Sequence, residues 1–148
     1  MLRNWEQHLE YQKKLEMHLI VAQAVQKNRL IQYSKSISKL YLLNLDSLLP
    51  VIKPLYSGLG RPAKNQQGII RSLVLMLDFK EHSITNWAKT VANDPFLFNL
   101  CGFDSKTAPG ASSYYDFLIR LWQSDRSVHV KRKLHPKKFL SRPGKKLK

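Results

Sequence analysis

Asp46, Asp78, Glu81, Asp94, Asp104, Asp116 and Asp125 are the acids that could be drawn into metal-dependent phosphoryl transfer, a chemistry that needs two or three carboxylates converging on divalent cations. Their settings favour simpler work. Asp46 and Asp94 stand where helix N-caps are expected, Asp78 and Glu81 lie at a helix end beside Lys80, and Asp104 falls in a loop. Asp116 sits on a helix among aromatics, and none of the seven follows an apolar strand. The histidines (His8, His18, His82, His129, His135) are scattered with no HxxxH or His/Cys pairing. The single cysteine, Cys101, excludes an internal disulfide and falls short of a structural zinc set of about four ligands. There is no GxSxG, P-loop or Rossmann pattern. The expectation is a chain with no catalytic residue, no metal and no cofactor.

Basic residues carry the stronger signal. Of twenty-five Lys and Arg, ten lie between Arg126 and Lys148 with no acid among them, while all ten Asp and Glu fall in residues 1–125. Lys131, Arg132, Lys133, Lys137, Lys138, Arg142, Lys145 and Lys146 are the candidate phosphate contacts in this stretch, which reads as a disordered basic tail. Such cations neutralise phosphates and release condensed counterions, giving affinity without sequence preference. A membrane surface fits less well, because Phe139 is the tail's only aromatic residue and no amphipathic stripe accompanies it. A second candidate is the loop Gly60-Arg61-Pro62-Ala63-Lys64, where Arg61 and Lys64 project just before a helix N-terminus that itself attracts phosphate. Its plainer reading is an interhelical turn with two solvated charges.

The net charge of +15 therefore points to a polyanion, and DNA is the partner expected. The start of the chain lacks the apolar core of a signal peptide, and the longest apolar run, Leu73 to Leu77, is too short to cross a bilayer. These marks predict a cytoplasmic, nucleoid-associated protein.

The elements that must position these residues read as helices. Residues 4–32 predict one helix whose stripe of Tyr11, Leu15, Leu19, Ala22 and Val25 faces a core or a partner. Ser34 to Ser38 reads as a polar break. Leu40 to Tyr56 is apolar and helical in its second part, capped by Asp46 or Ser47, with Pro50 in the first turn. After the Gly58-to-Pro62 loop, Asn65 caps a helix through Phe79, in which Ile69 to Leu77 is apolar nearly all round and is taken as the buried centre. Ser83 caps the next helix, with Ile84, Trp87, Ala88 and Val91 inward. Asp94-Pro95 opens a short one that Gly102 closes. Ser112 or Ser113 caps a last helix through Trp122, with Tyr114, Phe117, Leu118, Leu121 and Trp122 inward. Helices over 65–79, 83–92 and 94–101 could form a helix-turn-helix. The third carries no basic residue, so Asn86 and Lys89 on the second suit a DNA groove better. There is no internal repeat. The fold class is all-α, a compact bundle of five or six helices, in three stretches: an amphipathic helix over 1–36, a helical domain over 37–125 and the tail over 126–148.

Residues 48–122 carry an ordered set of motifs. Leu49-Pro50-Val51-Ile52-Lys53-Pro54-Leu55-Tyr56-Ser57-Gly58-Leu59-Gly60-Arg61-Pro62 precedes Ile70-Arg71-Ser72-Leu73-Val74-Leu75-Met76. Asn93-Asp94-Pro95, Leu100-Cys101-Gly102-Phe103-Asp104, Pro109-Gly110, Tyr115-Asp116-Phe117 and Arg120-Leu121-Trp122 follow. This order resembles the N-terminal domain of insertion-sequence transposases of the DDE type. The resemblance implies a domain that helps hold transposon ends and assemble the transposase. In that family the Asp, Asp, Glu triad lies in a downstream RNase H-like domain, and no residue here can be assigned to it, so a module truncated before the catalytic core is expected. The leading expectation is DNA binding in transposition or its regulation. Two alternatives stay open: an assembly module, self-associating or pairing with full-length transposase through the 4–32 stripe, and a remnant reading frame with no selected role.

Overall fold

The computed structural model describes residues 2, 5–56, 58–59, 63–103 and 106–122. The basic tail and Arg61 lie outside the described residues, and so does Asp104. Among the described residues the fold is all-helical, as the sequence predicts. The helices are α1 (His8–Val25), α2 (Lys27–Gln32), α3 (Ser34–Leu42), α4 (Leu49–Ile52), α5 (Gln66–Asp78), α6 (Ile84–Asn93), α7 (Pro95–Cys101) and α8 (Ala111–Trp122). Short 3-10 turns flank α4, and the only pairing of extended backbone described is an isolated bridge between Leu2 and Ala63.

The count exceeds the five or six expected because the N-terminal region is more broken than its sequence suggests. The single helix over 4–32 begins at His8 and is interrupted at Gln26 (φ −134°, ψ 44°), although no glycine or proline is present. Tertiary contact overrides propensity here. Beyond the break, the Arg29 guanidinium reaches the Asp94 carboxylate in a forked ion pair and lies 4.9 Å from the centroid of the Phe96 ring. The polar break over 34–38 is α3. Its serines are satisfied, Ser38 by the Ser34 carbonyl (2.9 Å) and Ser36 by the Asp78 carboxylate (3.0 Å), while Ile37 and Leu40 go inward. α3 therefore runs unbroken across residues 36 and 37.

Caps divide in the same way. Ser83 accepts the Asn86 N–H and Asp94 accepts the Phe96 N–H, as their spacing predicts. Asn65 stands at the N-cap position of α5 but in the left-handed region (φ 62°), and its side chain makes no cap hydrogen bond. Neither Asp46 nor Ser47 caps α4, whose N-cap is Leu48. The Asp46 carboxylate instead accepts the His8 N–H (3.1 and 3.2 Å), and so stabilises the positive end of α1 from 38 residues away. α8 starts at Ala111, which puts Ser112 and Ser113 inside its first turn rather than at its cap.

The core gathers Tyr11 and Leu15 of α1, Leu40 of α3, Ile69 and Leu75 of α5, Trp87 and Val91 of α6, Leu97 and Leu100 of α7, and Tyr114 and Phe117 of α8. α5 is central, but its buried face is not the apolar run from Ile69 to Leu77. It comprises Gln67, Gly68, Ile69, Arg71, Ser72 and Leu75, while Leu73 is half-buried and Leu77 is 72% exposed. Each polar member has a purpose. Gln67 donates to the Glu6 carbonyl and accepts the Glu6 N–H (2.6 and 2.9 Å), clamping the approach to α1. Arg71 lies 3.5 Å from the centroid of the Tyr11 ring and donates to the Cys101 carbonyl, while the Tyr11 hydroxyl donates to the Leu100 carbonyl (2.6 Å). The Ser72 hydroxyl accepts the Trp87 indole N–H (2.9 Å) and bonds the Tyr114 hydroxyl (2.8 Å), joining α5, α6 and α8 at one atom. Gly68 lets Phe103 approach so closely that a Cβ there would stand 2.5 Å from the ring.

Candidate nucleic-acid interface

Lys64 is exposed, immediately before α5, at the rim of a cleft of about 630 Å³. Asn65 and Gln66 at the start of α5 line it, and Ser113, Asp116 and Arg120 of α8 line it from the other side. The three α8 positions are spaced by three and four residues and so share one face of the helix. Arg120 is held in place. Its guanidinium donates to the Leu55 carbonyl (3.2 Å) and lies 4.7 Å from the centroid of the Tyr56 ring. Burial raises the Tyr56 phenol above its ordinary pKa, opposed by Arg120 and assisted by Asp116. The structure thus gives Lys64 a cationic neighbour at the same cleft that the sequence reading missed. The Ser113-Asp116-Arg120 spacing was the available signal. Of the other candidates, Arg61, Lys131, Arg132, Lys133, Lys137, Lys138, Arg142, Lys145 and Lys146 lie outside the described residues.

α6 offers a second surface. Trp87, Ala88 and Val91 bury one side of it, and Thr85, Asn86, Lys89, Thr90 and Asn93 are exposed on the rest. No acid occurs on this helix, and exposed Lys80 and His82 precede it. Thr90 turns its hydroxyl back to the Asn86 carbonyl (3.0 Å), which leaves Asn86, Lys89 and Asn93 as the longer polar side chains of the face. α7 is interior, with Phe96, Leu97, Leu100 and Cys101 all buried.

The acids of the helical body are largely spent on the protein itself. Glu6 pairs with Lys14, Glu16 accepts the Tyr41 hydroxyl, and Asp78 pairs with Lys39 and Ser36. Glu81 accepts the N–H groups of His82 and Ser83, and Asp94 pairs with Arg29. The hydrogen bond from Lys39 holds the Asp78 carboxyl below its ordinary pKa, and the one from Arg29 does the same for Asp94. Among the described residues no three His, Cys, Asp or Glu side chains are grouped to hold a metal ion. Cys101 is wholly buried, and burial pushes its thiol up to about 12, so it is a poor nucleophile. No described helix is long and apolar enough to cross a membrane.

No family model, curated protein or solved structure matches the chain.

Proposed function

We propose that this chain binds DNA, chiefly through its phosphates, and serves as an end-holding or regulatory module in transposition rather than as the catalyst. One observation carries the reading: ten cations and no acid in residues 126–148 of a chain whose net charge is +15. The helical body supports it. Most of its described acids are engaged internally, so the acid-free outer face of α6 is a surface a phosphate backbone can approach, as is the cleft where Lys64 and Arg120 stand with the single carboxylate of Asp116. In this assignment the tail supplies general affinity. Any preference for particular ends comes from residues 1–125, through Arg61, Lys64, Asn86 or Lys89, because phosphate contacts position a protein without specifying sequence. The transposase assignment rests on the ordered motifs from Leu49 to Trp122.

Titration of labelled duplex against salt tests this. If about six to eight tail charges meet phosphates, log K falls against log salt with a slope of roughly −5 to −7. Deleting residues 126–148 then flattens the slope and weakens binding to all sequences about equally. Lys64→Ala or Lys89→Ala instead reduces discrimination between terminal repeats and random duplex. A truncated protein with the full slope removes the tail from the assignment. Metal-dependent nicking that vanished in Asp116→Asn would overturn the non-catalytic reading.

A further inference from the structure

The cleft between α5 and α8 holds a group that phosphate contact does not explain. Asp116 is exposed on its wall, four residues before Arg120 on the same face of α8. The two form no ion pair, because Arg120 donates to the Leu55 carbonyl (3.2 Å) and lies over the Tyr56 ring. A carboxylate repels phosphate, so a surface for the backbone alone gains nothing from it. Gln66, on the facing wall, has a buried side-chain oxygen with no hydrogen-bond partner. The lining therefore carries two acceptors whose donors are not among the described residues. At about 630 Å³ the cleft is also large for a single phosphate, and it falls within the ~300–1,000 Å³ of small-molecule sites.

We infer that the cleft takes one unpaired nucleotide at a DNA end, with guanine preferred. This rests on the DNA-binding reading above and gives the cleft a role beyond backbone contact. The phosphate of the nucleotide meets Lys64, beside the first turn of α5, which no side chain caps. The base stacks on the Arg120 guanidinium, which is exposed and backed by the Tyr56 ring. Asp116 lies one turn earlier on α8, about 6 Å along the helix axis, and accepts from the edge of the base. Guanine alone among the four bases offers two adjacent donors, N1–H and the 2-amino group, which match both oxygens of a carboxylate. Cytosine and adenine each place one amino group next to an acceptor. Thymine has a single N–H between two carbonyls that a carboxylate repels. In a duplex the guanine N1–H is already given to cytosine, so this contact selects an unpaired base, which a frayed or overhanging end supplies.

Labelled hairpin duplexes that end blunt, or in a one-nucleotide overhang of G or T, test the assignment with the full chain at fixed salt. The G overhang should bind about ten-fold tighter than the T overhang, the discrimination expected of one bidentate contact. Asp116→Asn removes one acceptor oxygen at an exposed position and should bring the two overhangs within about two-fold, with unchanged helical circular dichroism. NMR titration of the isotope-labelled chain with free dGMP asks about the cleft alone. Its expected shifts fall on Lys64 to Gln66 and on Ser113 to Arg120, and dTMP should produce smaller ones. Equal affinity for G, T and blunt ends in a chain that still binds duplex overturns the cleft assignment and spares the DNA reading. An Asp116→Asn variant that keeps the preference for G, or inorganic phosphate giving the same shifts as dGMP, overturns base recognition. Shifts from dGMP in a chain that binds no duplex support the nucleotide site and overturn the DNA reading instead.

Discussion

α5 and α1 are both rich in apolar residues, and they use them in opposite ways. α5 is the interior helix, yet it turns Gln67, Arg71 and Ser72 inward and leaves Leu77 in solvent. α1 lies at the outside, anchored by two buried residues, and carries Met17, Ile20, Val21 and Val25 on its exposed surface. Hydropathy says how much apolar surface a helix has. Which side is buried depends on specific partners: a carbonyl for Arg71, an indole for Ser72, a backbone pair for Gln67. Those side chains stay inside because each finds a hydrogen-bond partner there, and a buried group left wholly unsatisfied would cost about 1–3 kcal/mol.

The contrast can be broken most severely at its centre. Leu75 is fully buried, so Leu75→Asp places a charge with no partner in the core. It should cost about 4 kcal/mol or more, against a total stability of ~5–15, and appear as lost helical circular dichroism. Ser72→Ala should cost about 2–4 kcal/mol in urea unfolding, because the Trp87 indole and the Tyr114 hydroxyl both lose the atom they share. Gly68→Ala sharpens the comparison by its sign. In an open helix the change gains about 1 kcal/mol, but here the added methyl meets Phe103, and a net loss of about 1–2 kcal/mol is expected.

A smaller effect concerns the ion pairs that pin the peripheral helices. Asp94 and Asp78 have carboxyl pKa values below those of the unfolded chain, so their contribution is present above about pH 4 and is lost as the pH falls through the lower folded values. Denaturant melts from pH 6 downward should show this loss, and Asp94→Asn should shrink the pH-dependent part while lowering stability at neutral pH. The smallest effect is the control. Leu77→Asp, one turn-face away from Leu75, should change stability by about 0.5 kcal/mol or less. A large loss there would mean that α5 is rotated from its described face.

What the sequence disclosed follows the range of the interaction. Ser83, Asp94 and Gly102 bracket α6 and α7 where expected, because a cap bonds amides two or three residues away and Gly102 adopts the left-handed conformation (φ 72°) that ends a helix. α3 was not legible, since the partner of Ser36 is Asp78, 42 residues on, and serines without a visible acceptor read as a turn. The break at Gln26 was hidden for the same reason, as Arg29 and Asp94 are 65 residues apart. Asp46 is not the N-cap expected of it, because its carboxylate accepts the His8 N–H of α1, 38 residues away, where no local spacing reveals the partner. At the candidate interface, Lys64 is a candidate that its loop makes legible, whereas Arg120 joins it at the cleft only when α8 lies across from α5.

The ties between α1 and the rest of the core also set a clock during synthesis. The Tyr11 hydroxyl waits for the Leu100 carbonyl, 89 residues later, and the Glu6 backbone waits 61 residues for Gln67. At ribosomal rates of ~5–20 residues per second, the first of these delays lasts roughly 4–18 s. Throughout it, α1 offers aliphatic and aromatic side chains on both sides at once, Leu15 and Tyr11 on one and Met17 and Ile20 on the other. The nascent chain is at its most adhesive before α7 emerges. Co-expressed holdase chaperones or slower, cooler translation should therefore raise the yield of folded protein through this segment first.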